Sequence, residues 1–155
     1  MTEDNRDPRP ARIVDVGAKQ VTEREATAEA TISMTPHACE RVLASNPKGN
    51  PIEAARIAAL QAIKRTPDLL PFCHPIALTG AEVVVEPDTA AGTIRVVVTV
   101  RATDRTGVEM EALTGAAVAA LCLYDTTKSQ DKAAVIGGVR LVAKSGGRSG
   151  SYRAD

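Results

Sequence analysis

Cys73 and His74 stand next to each other between two prolines, in a chain that has only three cysteines and two histidines. With His37 and Cys39 they offer four side chains of the types that bind zinc, and a thiol beside an imidazole also suggests a nucleophile with its base. Adjacent residues of an extended chain point to opposite sides, and neither pair has the ligand spacing of a structural zinc site. We therefore expect no metal site, a buried Cys73 and a functional His74.

Asp125 and Lys128 form the second candidate pair. They lie three residues apart at the end of an apolar predicted helix, so their side chains share one helical face. An acid and a base beside buried surface can have pKa values shifted to suit proton transfer. A simple ion pair at the end of a helix fits the same pattern.

Other charged residues lie near predicted element ends or in loops, where a solvated surface is the default interpretation. The basic ones are Lys48, Arg56, Lys64, Arg65, Lys132, Lys144 and Arg148. The glycine-rich segment 144–150 offers backbone amides and two cations to a phosphate, but it lacks the Walker spacing and also fits a flexible tail. Glu109 and Glu111 begin the longest predicted helix, where acidic side chains complement the helix dipole.

The elements that must position these residues follow from apolar periodicity and from capping signals. Alternation predicts a strand over 25–34, a hairpin over 77–86 and 93–101, and a last strand over 135–143. Capping signals at Thr35, Asn50 and Thr106 predict helices to about residues 43, 65 and 128, with Pro67 ending the second. An irregular loop holds Cys73 and His74. The order predicts an α+β fold, a ferredoxin-like βαββαβ sandwich with an additional helix.

Length and composition limit the functional classes. The chain has 155 residues, 44% of them hydrophobic, which suits one domain over 12–150 between an N-terminal tail (1–11) and a C-terminal tail (151–155). Lys plus Arg and Asp plus Glu both number 19, so no net field draws the protein to nucleic acid or membrane. A sheet that stacks RNA bases needs aromatic residues, and this chain has one Phe, two Tyr and no Trp. With no secretory signal and no run near ~20 apolar residues, we expect a cytoplasmic protein with reduced thiols.

Several motifs of this chain form one recognisable set: Lys48-Gly49, Ala55-Arg56-Ile57-Ala58, Ala62-Ile63-Lys64-Arg65-Thr66, Leu70-Pro71-Phe72-Cys73-His74-Pro75, the run from Thr106 to Thr114, Tyr124-Asp125 with Lys128, and Arg140-Leu141 with the run from Lys144 to Gly150. Together they resemble the cyclic pyranopterin monophosphate synthase family of molybdenum cofactor biosynthesis. Two departures are Asn50, where the family often has Asp, and Thr126-Thr127 with Ser129-Gln130 beside the Asp125 motif. Asp125 and Lys128 are kept.

The resemblance implies a ferredoxin-like lyase that assembles as a hexamer, a trimer of dimers. Its substrate is a cyclised dihydroguanosine triphosphate supplied by an upstream radical enzyme, and its products are cyclic pyranopterin monophosphate and pyrophosphate. No cofactor or metal is implied. The implied site residues are Asp125, Lys128 and Lys48 for catalysis, and Cys73, His74, Glu109, Met110, Glu111, Lys64, Lys144 and Arg148 for substrate binding. An inactive relative that only binds pterin or nucleotide is the alternative.

Helix geometry adds a condition on this site. Glu109 and Lys128 are 19 residues apart on one predicted helix, so at ~1.5 Å per residue their backbones lie roughly 28 Å apart. One chain cannot easily bring both to one small-molecule pocket. We therefore expect the site to form between subunits.

Overall fold

The computed structural model describes residues 9–155, so positions 1–8 of the predicted N-terminal tail lie outside the described residues. The helices and strands, in chain order, are β1 (Thr22–Ser33), α1 (Pro36–Ala44), α2 (Pro51–Lys64), α3 (Thr66–Leu69), β2 (Leu78–Asp88), β3 (Thr93–Asp104), α4 (Glu109–Thr127), β4 (Val135–Ser145) and β5 (Tyr152–Arg153).

The strands form one antiparallel sheet in the order β2-β3-β1-β4-β5. The first four strands have the order of a ferredoxin-like sandwich, in which the two βαβ halves interleave. Helices α2 and α4 pack on each other and on one face of the sheet. The predicted α+β class and its ferredoxin-like topology are confirmed, and the described residues add two helices to it: α1, which was predicted, and the four-residue α3, which was not.

The core lies between this face of the sheet and the helices, and most of its side chains are small. Every second residue of β1 from Ala26 to Ile32 is buried, as is every second residue of β3 from Ile94 to Ala102. Gly115 lets α4 approach α2 closely, because a Cβ at this position would lie only 2.8 Å from Ile63 Cγ1. Close backbone packing thus replaces the large rings that this chain lacks.

Two of the three predicted helix caps are confirmed. Thr35 Oγ1 accepts a hydrogen bond from the Ala38 amide, and Asn50 Oδ1 accepts from the Ile52 and Glu53 amides. The capping box predicted at Thr106 is wrong, because Val108 is the N-cap of α4 and makes no side-chain cap hydrogen bond.

The Glu of that predicted box, Glu109, is the first residue of α4. A capping box needs its Glu at the third helical position, where the side chain can reach back to the cap amide. The carboxylate of Glu109 instead pairs with Lys144 of β4.

Two further details differ from the sequence prediction. Helix α2 ends at Lys64, before Pro67, and Pro67 belongs to the first turn of the short helix α3, where a missing amide is tolerated. Within the predicted C-terminal tail, Tyr152 and Arg153 pair with β4 as a fifth strand. Gly146, Gly147 and Gly150 have positive φ angles, and they turn the chain back toward β4.

The opposite face of the sheet carries charged and β-branched side chains. Its most buried charge is Glu29, which accepts hydrogen bonds from Arg95 (2.6 and 2.8 Å) and Arg140 (2.7 Å). The hydrogen bond from Arg140 is the main reason that the pKa of Glu29 is lowered. Strands β1 to β4 contain no aromatic residue, and β5 contributes a single one, Tyr152, whereas an RNA-binding sheet stacks two or three bases on aromatic side chains.

Candidate active site

Three charged side chains meet at the C-terminal end of α4. The carboxylate of Asp125 lies between two ammonium groups, with Lys48 Nζ 2.5 Å from Oδ2 and Lys128 Nζ 2.7 Å from Oδ1. Lys48 Nζ also donates to the Asp125 carbonyl at 3.2 Å. All three side chains are about half exposed, so a ligand can reach them from solvent. The structure thus brings together the three residues predicted to be catalytic.

The ion pairs stabilise the charged forms of this cluster. Hydrogen bonds from Lys128 and then from Lys48 lower the pKa of Asp125 to about 2, and the hydrogen bond to Asp125 raises the pKa of Lys128. Both shifts lead away from neutrality, so the ion pair makes Lys128 a weaker acid and Asp125 a weaker base than the free side chains. These shifts are opposite to the ones that suit proton transfer near pH 7, so the geometry of the cluster, rather than its pKa values, supports a catalytic role.

The other end of α4 holds a second group of predicted site residues. Glu109 Oε1 lies 3.1 Å from Lys144 Nζ, which also donates to Ser149 Oγ at 3.0 Å. Lys144 reaches the start of α4 because it stands on β4 opposite Ala26, a core-facing residue of β1. The glycine-rich loop after β4 brings Arg148 to the same place.

A cavity of about 680 Å³ opens at this end of the helix, and its wall is rich in cations. The lining residues are Ala18, Lys19, Gln20, Thr22, Arg24, Arg105, Thr106, Gly107, Glu109, Gly147, Arg148 and Ser149. Four of the side chains are basic and one is acidic, so the cavity is suited to an anion of several charges.

Sequence reasoning missed three of these cations: Lys19, Arg24 and Arg105. Arg24 is held by hydrogen bonds to the carbonyls of Asp104 (3.3 Å) and Arg105 (3.2 Å). A signal for it exists in the sequence, because Arg24 continues the core-facing register of Ala26. A charged residue in that register, just outside the core, must face a polar space.

Two of the remaining predicted residues, Cys73 and Glu111, are close enough for the charge of Glu111 to act on the thiol, and Cys73 is only partly buried, so the prediction of a buried Cys73 is wrong. Burial raises the pKa of Cys73, and the charge of Glu111 raises it further. Glu111 itself is only 2% exposed, and burial raises its pKa as well. Its neighbour Met110 is 41% exposed. Glu111 is therefore a poorly hydrated carboxyl group, whereas Met110 is open to solvent.

The last two predicted residues, His74 and Lys64, belong to neither of the charged groups at the ends of α4. His74 is half-buried in the loop before β2, and Lys64 is exposed at the end of α2. In the described part of the chain, no hydrogen bond or ion pair joins either side chain to the clusters at the two ends of α4.

The two ends of α4 are far apart. Glu109 is its first residue and Lys128 is its C-cap, so the predicted positions at opposite ends of one helix are confirmed. At ~1.5 Å per residue the two backbones are separated by roughly 28 Å. Within a single chain, the two charged groups are therefore separate.

The four residues of the types that bind zinc do not form a single cluster. Over residues 9–155, no group of three or more His, Cys, Asp and Glu side chains is placed to hold a metal ion. His37 is exposed, whereas Cys39, two positions later, is buried in the core. In the same part of the chain, none of the helices combines the length and apolar character that a membrane span requires.

Comparison with known proteins gives one consistent match. Residues 13–147 match the model of the MoaC family. Proteins named cyclic pyranopterin monophosphate synthase are similar over 92% of this chain: one from Pelotomaculum thermopropionicum (49% identical, 84% of its length), one from Roseiflexus sp. strain RS-1 (50%, 90%) and one from Streptomyces griseus (50%, 80%). A family match over most of the chain, on a fold that holds the predicted catalytic residues together, places this protein in the MoaC family.

Proposed function

We propose that this protein is a cyclic pyranopterin monophosphate synthase, a lyase of molybdenum cofactor biosynthesis. It converts the cyclised dihydroguanosine triphosphate to cyclic pyranopterin monophosphate and releases pyrophosphate. The observation that carries the proposal is the pairing of Asp125 with both Lys48 and Lys128. Support comes from the relatives of that name, which are about 50% identical to this chain over the aligned residues.

The three residues at the end of α4 perform the proton transfers. Rearranging a purine ring system to a pyranopterin requires protons to be added to and taken from ring nitrogen, carbon and oxygen atoms. Lys128 donates a proton, and the Asp125 carboxylate, 2.7 Å away, holds its ammonium group in place. Lys48, on the other side of the carboxylate, contributes a second positive charge against developing negative charge.

The cations at the other end of α4 bind the triphosphate. Formation of the cyclic phosphate breaks the bond between the α- and β-phosphates, so negative charge develops on the departing pyrophosphate. Arginine donors in fixed positions stabilise this charge, and Arg24, Arg105 and Arg148 line the cavity where such a group fits. Lys144, which neutralises Glu109, lies beside them, and Lys64 is assigned to phosphate contact as well.

The remaining residues shape the pocket for the ring system. His74 contacts the substrate, and Cys73 and Met110 form the wall. Glu111, whose pKa is raised by burial, offers a carboxyl group to the polar edge of the ring. The reaction moves protons and a phosphoryl group, so no redox cofactor or metal is part of the proposal.

One site needs both ends of α4, and these belong to different chains in our proposal. Each chain gives the Glu109 end to one pocket and the Lys128 end to another, in a hexamer built as a trimer of dimers. The protein is cytoplasmic and receives its substrate from an upstream radical enzyme.

Incubation of the purified protein with the cyclised triphosphate tests the function. The proposal predicts equal amounts of pyrophosphate and cyclic pyranopterin monophosphate, measured by an enzymatic phosphate assay and by mass spectrometry. A protein that binds the triphosphate but releases no pyrophosphate would be the inactive relative instead.

A further inference from the structure

The loop that carries Lys48 is fastened to the end of α4 by a side chain with no assigned role. Asn46 is half-buried, and its Nδ2 donates to the carbonyl of Thr126 at 3.0 Å. Its Oδ1 accepts from the backbone amide of Lys48, also at 3.0 Å. One amide group therefore connects the residue after Asp125 to the backbone of Lys48.

We propose that Asn46 is a positioning residue that holds Lys48 against Asp125. The last carbonyl groups of a helix have no partners within the helix, so the end of α4 presents acceptors at fixed positions. The loop uses two of them, because Asn46 binds the carbonyl of Thr126 and Lys48 Nζ binds the carbonyl of Asp125. Both contacts fix the loop on the same turn of α4 that carries the Asp125 carboxylate.

Lys48 needs such a support because its own side chain does not provide one. A lysine has four rotatable bonds, and holding an exposed one in a single geometry costs about as much free energy as its ion pair returns. Lys48 is about half exposed, and Gly49, the next residue, has a φ of +94° and no atom near its Cβ direction. The hydrogen bond from the Lys48 amide to Asn46 removes part of this freedom at the backbone.

A double-mutant cycle distinguishes a positioning role of Asn46 from a merely structural one. If Asn46 acts through Lys48, Asn46→Ala lowers kcat about 10-fold in the wild-type background and has no further effect in the Lys48→Met background. If Asn46 only stabilises the loop, its effect on kcat is the same in both backgrounds. Asn46→Asp, which keeps the acceptor for the Lys48 amide and loses the donor to Thr126, serves as the second variant.

A second readout needs no turnover, which keeps it independent of the proposed function on which the kcat arm rests. The rate at which an amine-specific acylating reagent labels Lys48, followed by peptide mass spectrometry, reports how tightly Asp125 holds that amine. We expect labelling of Lys48 to rise several-fold in Asn46→Ala, while labelling of exposed Lys132 stays constant. Asn50→Ala, which removes the cap of α2 from the same loop, is the matched control and leaves the Lys48 rate unchanged.

Unchanged labelling of Lys48 in Asn46→Ala would overturn the inference, and so would a kcat loss that persists in the Lys48→Met background. A wild-type protein without pyrophosphate release would contradict the proposed function alone, because the labelling arm would still decide the role of Asn46.

Discussion

Lys48 Nζ lies 2.5 Å from Asp125 Oδ2, although 77 positions separate the two residues in the chain. Asp125 stands in the last turn of α4 and Lys48 in the loop between α1 and α2. Only the fold brings them together. The ion pair connects a short-range pair, Asp125 and Lys128, to a residue that sequence spacing alone would leave on the surface.

We predict that Lys128→Ala lowers kcat by about 10²-fold or more while the melting temperature stays nearly unchanged. The loss is large because a positioned proton donor contributes about 10² to 10⁴ to the rate, and exposed ion pairs add little to stability. The matched control is Arg56→Ala, which removes another exposed ion pair with the same three-residue spacing, that of Arg56 with Glu53. Pyrophosphate release and thermal unfolding check both variants. Full turnover by a folded Lys128→Ala would contradict the catalytic assignment.

Gly147→Ala is expected to weaken substrate binding. Gly147 has a φ of +76°, and an added Cβ would overlap the guanidinium group of Arg24, which would then have to leave its position in the cavity. We predict a rise in KM of about 10-fold or more, since a charged contact to phosphate contributes about 1.5–3 kcal/mol.

Gly150→Ala is the control for Gly147→Ala. It has a similar φ of +69° and open space around the added Cβ, so it has the same kind of backbone strain without the clash. Steady-state kinetics compare the two variants. Equal KM values for the two variants would show that the position of Arg24 does not depend on the absence of a side chain at Gly147, and would contradict the prediction.

The buried carboxyl of Glu111 predicts a pH-dependent stability. Burial raises its pKa above the ordinary value, so the unfolded chain releases this proton more readily than the folded protein does. Its contribution to stability is therefore unfavourable above the unfolded pKa and disappears as the pH falls below it.

We expect Glu111→Gln to raise the free energy of unfolding at pH 7, to have little effect near pH 4, and to lower turnover. Urea titrations at several pH values measure the first two effects. A variant that is less stable than wild type at pH 7 would contradict the account.

The sequence predicts the order of strands and helices because their signals are local. Alternating residues mark β1 and β3, and Pro36 and Pro51 stand at the first position of helices α1 and α2. The capping box at Thr106 fails for a reason that is not local. Glu109 fits a capping box by spacing, but an ion pair with Lys144 is available to it only in the folded sheet.

The candidate site was only partly predictable for a related reason. Asp125 and Lys128 are neighbours on one helix, and motif resemblance identified Lys48, Glu109 and Lys144. The cavity cations Arg24 and Arg105 come from segments about 80 positions apart that meet through β1 and β3 pairing. No local sequence pattern near either residue predicts that the two come together.

Subunit mixing tests the shared site most directly. Glu109→Gln and Lys128→Ala, each inactive alone, are dissociated, combined in equal amounts and reassembled, with hybrid oligomers verified by native mass spectrometry. In a two-fold symmetric interface, a hybrid pair has one pocket with both mutations and one with neither. The account predicts that about a quarter of wild-type pyrophosphate release returns. Hybrid oligomers that form and remain inactive would show that each pocket belongs to one chain and would contradict the account.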